Sequence, residues 1–143
     1  MYIRPNGYII QPQSRTTAGV WIGCEPIQTL ARDVALTTLG QAIREVLAAS
    51  RDAVAHPTDW KGLLLPLFKC AKIRSWNALQ KSAKMCGVEE SNSELRIVPT
   101  RNGGTAGSDK GYHSLPEKAI LLEADCAPEQ LGKALEQALE LCC

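Results

Sequence analysis

The sequence predicts an α+β fold in a single domain over residues 1–143, with a mostly antiparallel or mixed sheet packed with three to four helices. Strand and helix patterns alternate along the chain, and one strand–helix unit occurs twice. The composition, with 45% apolar and 22% charged residues, is that of an ordinary globular protein. A chain of 143 residues is also close to the commonest domain length.

The N-terminal half of the sequence predicts three strands and one helix. The strands cover residues 7–11, 19–23 and 26–32, and the helix runs from about Leu36 to between residues 50 and 55. A polar Ser-Arg-Thr-Thr segment at residues 14–17 is predicted to be the turn between the first two strands.

The second half begins with a short apolar segment at residues 63–71 that Pro66 interrupts. Ser75 is a good N-cap for a helix through Lys84, with Trp76, Leu79 and Ala83 on one face. The remaining pattern predicts strands at residues 85–90 and 94–100, a flexible glycine-rich loop at 101–111, further strands at 112–115 and 119–123, and a final helix.

The repeated unit is visible as two similar segments that start at Asp33 and Asp125, 92 residues apart. Each contains an amphipathic helix, with apolar residues spaced to line one face. The two aspartates are predicted to accept hydrogen bonds from the first backbone N–H groups of their helices. Gly40 and Gly132 occupy equivalent positions, where glycine costs roughly 1 kcal/mol relative to alanine. We therefore expect both glycines to permit close approach of a neighbouring backbone.

The N-terminal sequence favours a protein of a reducing compartment, the cytoplasm, because no export signal is visible. A net charge of +1 gives no reason to expect binding to nucleic acid or to a membrane surface. The N-terminal residues lack the apolar segment of an export signal, and the longest apolar stretch, at residues 63–68, is too short to span a bilayer. The six cysteines are therefore interpreted as free thiols rather than disulfides.

The sequence contains no recognisable catalytic, cofactor-binding or metal-binding motif. The glycines at residues 103–111 lack the spacing of a P-loop, and no Gly-x-Ser-x-Gly motif is present. His56 and His113 do not have zinc-ligand spacing, and the terminal Cys142-Cys143 pair is predicted to be inert on a fraying helix end. A small enzyme with a Cys–His pair assembled from distant residues stays the least favoured alternative.

Charge is unevenly distributed along the chain. Residues 61–84 carry six basic residues and no acid, whereas acids predominate from residue 117 onward. The basic residues are Lys61, Lys69, Lys72, Arg74, Lys81 and Lys84; the acidic ones are Glu117, Glu123, Asp125, Glu129, Glu136 and Glu140. The two segments either neutralise each other, are simply solvated, or form a nucleic-acid patch and a surface for a basic protein. Trp60 and Trp76 lie among apolar residues, which favours their burial in the core.

Several motifs in the C-terminal two-thirds resemble a known family. Trp60, Lys69, Ser75-Trp76-x-x-Leu79-x-Lys81, Val88-Glu89, residues 97–100 (Ile-Val-Pro-Thr) and the helix with Leu131-Gly132 are similar to the contact-dependent growth inhibition immunity proteins of bacteria. The resemblance implies a cytoplasmic protein that binds and blocks the toxic C-terminal domain of a surface effector delivered by a neighbouring cell. Such toxins are commonly nucleases, and the immunity protein acts stoichiometrically without a cofactor.

Two surfaces are candidates for a partner of this kind. The favoured one is acidic and comprises Glu129, Glu136 and Glu140, because a toxin that holds RNA must present a basic site. The second is the loop from Arg101 to Tyr112, with Asp109 and Lys110, because loops on a rigid scaffold commonly carry recognition. A generic cytoplasmic protein-binding module is the alternative function.

Overall fold

The structure is a computed structural model that describes residues 1–143. Its strands are β1 (Tyr2–Arg4), β2 (Gly7–Ile10), β3 (Gln13–Arg15), β4 (Trp21–Gly23), β5 (Gln28–Leu30), β6 (Lys84–Ser91), β7 (Glu94–Asn102), β8 (Tyr112–Ser114) and β9 (Ile120–Glu123). Its helices are α1 (Leu36–Ala48), α2 (Trp60–Ala71), α3 (Trp76–Ser82) and α4 (Pro128–Leu141), with a 3-10 turn at Pro116–Lys118.

Seven of the strands form one antiparallel sheet in the order β5-β2-β1-β6-β7, in which β8 and β9 pair with different parts of β7. The centre of the sheet joins the N-terminal strand to the second half of the chain, because Tyr2 of β1 pairs with Met85 of β6. Strands β3 and β4 form a separate hairpin. The predicted α+β fold with a mostly antiparallel sheet and four helices is confirmed.

The helices cover both faces of the sheet. Neighbouring strand residues point to opposite faces. Tyr8 and Ile10 belong to a core with α1 and α4, whereas Tyr2 and Ile9 belong to a second core with α2 and α3. The molecule therefore has three layers, with α1 and α4 on one side of the sheet and α2 and α3 on the other.

The repeated strand–helix unit is confirmed, and the sheet register follows it. Ile9 of β2 pairs with Thr29 of β5, and Arg96 of β7 pairs with Leu121 of β9. Thr29 and Leu121 are 92 residues apart, the same offset that relates the two helices. The order β5-β2-β1 is mirrored by β9-β7-β6, so the two halves of the sheet are related by an approximate two-fold axis between β1 and β6.

Helices α1 and α4 meet at their glycines. A Cβ atom on Gly40 would lie 1.8 Å from the carbonyl oxygen of Pro128, and one on Gly132 would lie 2.2 Å from that of Leu36. Leu36 and Pro128 are again 92 residues apart, so each helix receives the first-turn carbonyl of the other helix at its glycine. The predicted close approach is confirmed, and the neighbouring backbone is the other copy of the unit.

The predicted capping by Asp33 and Asp125 is wrong. The N-cap residues of α1 and α4 are Ala35 and Ala127, and neither helix has a side-chain bond from its N-cap residue. Each aspartate lies three residues before the first helical residue, too far along the chain to serve as N-cap. In α4 the side chain of Gln130 instead accepts a hydrogen bond of 2.9 Å from the backbone N–H of Ala127.

Helix α2 replaces the interrupted apolar segment predicted around Pro66. The helix begins at Trp60 because Asp59 caps it: Oδ1 accepts hydrogen bonds of 3.0 Å from the N–H groups of Lys61 and Gly62. It continues through Pro66 to Ala71. Strand β1 was not predicted, and β3 includes part of the segment predicted as a turn.

The expected burial of Trp60 is wrong, whereas Trp76 is partly buried. The side chain of Trp60 is 48% exposed, and its ring contacts the ring of His56 edge-on at 5.3 Å between centroids. Trp76 packs edge-on against Tyr2 and Tyr112, at 6.2 and 6.3 Å between ring centroids. Trp60 is the first residue of α2, whereas the buried residues of this helix, Leu67 and Ala71, lie in its second half.

Candidate functional site

The three glutamates predicted on α4 have different environments. Glu129 and Glu140 are exposed and make no ion pair or side-chain hydrogen bond. Glu136 is half-buried and accepts a hydrogen bond of 3.0 Å from the Tyr8 hydroxyl. It also forms an ion pair of 3.2 Å with Arg32. Glu136 therefore joins α4 to the sheet, whereas Glu129 and Glu140 have no partner within the fold.

Tyr8 is the centre of this contact. The Arg32 guanidinium lies 5.2 Å from the centroid of the Tyr8 ring and also donates a hydrogen bond to the Tyr8 hydroxyl. Partial burial, and next the hydrogen bond to Glu136, raise the pKa of Tyr8 to about 12. The hydroxyl therefore stays protonated at neutral pH and remains a donor to Glu136.

An acidic groove lies where β9, the start of α4 and the turn before β7 meet. It has a volume of about 700 Å³, and its lining includes the carboxylates Glu94, Glu123 and Asp125 but no basic residue. Leu121 also lines the groove and is 56% exposed. The groove thus combines negative charge with an exposed apolar side chain.

The acids of the groove were not among the site residues predicted from the sequence. Glu123 and Asp125 belong to the acidic C-terminal segment, so their charge was visible in the sequence. Glu94 belongs to β7 and reaches the groove because β7 pairs with β9 at Glu94 and Glu123. Glu129 does not line the groove, although Gln130, the next residue of α4, does.

The glycine-rich loop is held by internal bonds rather than being an unstructured connection. Arg101 donates two hydrogen bonds to the Asp109 carboxylate, one of them 2.9 Å long. This contact lowers the pKa of Asp109. Gly103 and Gly111 are joined by a backbone hydrogen bond of 2.8 Å across the base of the loop. Arg101 and Asp109 thus satisfy each other's charge, and Lys110, next to the base of the loop, is exposed.

Two further residues predicted near this loop have contacts within the fold. The Tyr112 hydroxyl donates a hydrogen bond of 3.0 Å to the carbonyl oxygen of Ala83, and its ring is half-buried. A ring nitrogen of His113 lies 2.8 Å from the carbonyl oxygen of Asp109. The bond from Tyr112 connects the loop to the residue that follows α3, and the bond from His113 stays within the loop region. Only part of the Tyr112 ring is accessible.

The basic and acidic segments lie on opposite sides of the sheet. Five of the six basic residues are on or beside α2 and α3, and none of the ion pairs in the protein joins them to the acidic segment. The sixth basic residue, Lys84, lies in β6 instead. Its ammonium group donates a hydrogen bond of 3.2 Å to the carbonyl oxygen of Leu139 in α4. Neutralisation of one segment by the other is therefore wrong, and the acidic surface keeps its charge.

No group of three or more His, Cys, Asp or Glu side chains is arranged to hold a metal ion. None of the four helices has both the length and the apolar character needed to cross a bilayer.

The six cysteines are expected to be reduced thiols in the purified protein, because no pair is linked in the structure and the compartment predicted is a reducing one. Titration with a thiol reagent in denaturant without reductant should find six reactive groups per chain. Elemental analysis of the same sample should find no stoichiometric metal. Fewer than five thiols, or one metal ion per chain, would contradict this expectation.

Comparison with known proteins places this fold in a family. A family model described as CDI immunity protein, CdiI, matches residues 4–142. No curated protein matches the sequence at a significant level. A Neisseria meningitidis protein of unknown function has a similar structure, with a TM-score of 0.78 and 22% identity over 99% of this chain and 92% of that chain.

A second similar structure is a chain of the CdiA-CT/CdiI toxin and immunity complex from Yersinia pseudotuberculosis. Its TM-score is 0.78 at 16% identity, over 99% of this chain and 94% of that chain. At these identities both structures demonstrate a shared fold. Because the family model covers almost the whole chain, the protein belongs to the CDI immunity protein family.

Proposed function

We propose that this protein neutralises the C-terminal toxin domain of its cognate growth inhibition effector in the cytoplasm, and that the toxin is a nuclease. Family membership supports the immunity role. The similar fold in a toxin and immunity complex supports a toxin domain as the partner. The observation that carries the nuclease proposal is the acidic groove, whose lining includes three carboxylates and no base.

The charge of the groove suits a partner that holds nucleic acid. A nuclease must present a basic surface to the phosphates of its substrate. Carboxylates on an inhibitor can occupy that surface and steer the two proteins together. Leu121 supplies an exposed apolar contact beside the charges, as the centre of a protein interface requires. Such binding blocks the toxin one to one without any chemical step.

The groove is a better binding site than the glycine-rich loop. In the loop, Arg101 and Asp109 are already paired with each other, so a partner would have to replace an existing contact. In the groove, the side chains of Glu123 and Asp125 make no hydrogen bond or ion pair within the fold. Glu129 and Glu140 add exposed carboxylates along α4, whereas Glu136 is already bonded to Tyr8 and Arg32 within the fold.

Charge reversal in the groove tests this site. We expect the double variant Glu123→Lys/Asp125→Lys to associate with the toxin at least about tenfold more slowly at low salt, because steering by complementary charge is reversed. The matched control is Glu25→Lys/Asp52→Lys, which makes the same change in net charge at exposed residues outside the groove. Association is measured by stopped flow with the toxin domain encoded upstream, and protection by co-expression of the two proteins.

The possible outcomes separate the parts of the proposal. If the groove variant and the control associate equally fast and protect equally well, the groove is not the binding site. If the toxin kills cells without degrading RNA or DNA, the nuclease part is wrong and the immunity role stands. If the upstream product is neither toxic nor bound, this chain is instead a binding module for another protein.

A further inference from the structure

Two of the six cysteines form a buried pair in the core. Cys86 belongs to β6 and is 0% exposed, and Cys142 follows α4 and is 4% exposed. Their Sγ atoms are 3.4 Å apart. The predicted fraying of the helix end at Cys142 is wrong, because Cys142 is buried and Cys143 is hydrogen-bonded to β7.

The position of Cys142 is set by backbone contacts on both sides. The backbone of Cys143 accepts a hydrogen bond of 2.6 Å from the N–H of Asn102 and donates one of 3.3 Å to the carbonyl oxygen of Thr100. The Cys142 thiol lies 3.1 Å from the carbonyl oxygen of Met85 and 3.5 Å from the backbone nitrogen of Thr100. The end of the chain is thus held against β7, which keeps the Cys142 sulfur directed at Cys86.

We propose that Cys86 and Cys142 form a site of reversible oxidation, at which a hydroperoxide converts the two thiols into a disulfide between β6 and the end of α4. The two sulfurs already face each other, so forming the bond requires a shift of little more than an ångström in a pair that the backbone holds. A small oxidant suits the site because both thiols are buried.

The two sulfurs have different roles in this reaction. A hydrogen bond from Cys86 lowers the pKa of Cys142, and the same contact raises the pKa of Cys86. The Cys142 thiol gives up its proton, its thiolate attacks one peroxide oxygen, and the O–O bond breaks to leave a sulfenic acid and hydroxide. The hydroxide takes up the proton that Cys142 lost and becomes water. The Cys86 sulfur then attacks the Cys142 sulfur, loses its proton, and displaces the hydroxyl group as a second water. Two thiols are oxidised, and one hydrogen peroxide is reduced to two waters.

The disulfide would connect residues that are 56 positions apart in the sequence. A cross-link of this span restricts the unfolded chain, so the oxidised protein should unfold at a higher temperature. It would also prevent the end of α4 from separating from the sheet. The start of the same helix borders the acidic groove, and the oxidation site is independent of whether that groove binds a toxin.

The experiment treats the reduced, full-length protein with hydrogen peroxide and then alkylates the remaining thiols. Tryptic digestion without reductant should yield peptide 85–96 linked to peptide 134–143, with a mass two hydrogens below the sum of the two. Dithiothreitol should separate the peptides, and the oxidised protein should show a Tm several degrees above that of the reduced protein.

Two variants distinguish this pair from its neighbours. Cys143→Ser removes the adjacent exposed thiol and should still form the cross-link, whereas Cys142→Ser should not. The proposal is overturned if the wild-type protein gives only sulfinic or sulfonic acids, or only links through Cys70 or Cys143. It is also overturned if a Cys143→Ser variant with the circular dichroism spectrum of the folded wild type lacks the link. In the wild-type protein, fragmentation of the linked peptide shows whether Cys142 or Cys143 carries the alkyl group, and this readout does not depend on the folding of either variant.

Discussion

Replacement of Gly40 by alanine is expected to lower the free energy of unfolding by about 2 kcal/mol. The added methyl group would lie 1.8 Å from the carbonyl oxygen of Pro128, so the backbones of α1 and α4 must separate. Overpacking of this kind costs about 3 kcal/mol at the upper end of its usual range, and the better helix propensity of alanine returns only about 1 kcal/mol. Denaturant unfolding measures the difference.

The approximate two-fold axis predicts the same effect at the equivalent glycine of α4. Gly132→Ala should cost a similar amount, because its methyl group meets the equivalent carbonyl of Leu36. The double variant should cost less than the sum of the two, since one substitution already separates the helices. Gln41→Ala, an exposed neighbour in α1, is the control and should change stability by less than about 0.5 kcal/mol. A Gly40→Ala variant as stable as the wild type would show that the helices do not meet here.

Truncation of a buried leucine in α4 should have an equally large effect. Leu135 is 0% exposed within the larger core. Leu135→Ala is therefore expected to lower the free energy of unfolding by about 2–5 kcal/mol, from lost apolar burial and the cavity that remains. Thermal and denaturant unfolding of the purified variant give the value.

The same helix provides a matched control for this truncation. Leu141 is 41% exposed, so Leu141→Ala makes the same chemical change and should cost much less, about 0.5 kcal/mol. The equivalent residue in the first unit, Ile43, is 2% exposed, and its truncation should resemble that of Leu135. Equal costs at Leu135 and Leu141 would mean that the apolar face of α4 does not pack on the sheet.

The elements with a strong local pattern were predictable from the sequence. Helices α1 and α4 have apolar residues at helical spacing, and β6 and β7 form a hairpin around a short polar turn. Strand β1 was not predictable because it is only three residues long and pairs through Tyr2 with Met85, far along the chain. Helix α2 was missed because Pro66 interrupts its pattern and because apolar side chains occur on its exposed side, as at Leu65.

The candidate site was predictable in its charge but not in its arrangement. The sequence shows that acids accumulate near the C-terminus, and four of them remain available on the surface at Glu123, Asp125, Glu129 and Glu140. It does not show that Glu136 is used within the fold, because its partner Tyr8 is 128 residues away. The burial of Cys142 likewise depends on strands that are distant in sequence. Such contacts follow only from the three-dimensional packing.

The approximate two-fold axis gives this single chain the architecture of a symmetric homodimer whose subunits have been joined. In a homodimer every substitution appears in both subunits, so the two sides of the assembly remain alike. In this chain a substitution in one half has no counterpart in the other half. The pairing of β1 with β6 and the packing of α1 on α4 still hold the two halves together. The first half is followed by the basic helices α2 and α3, and the second half carries the acidic groove. Substitutions in the second half can therefore alter the groove without altering the equivalent positions of the first half.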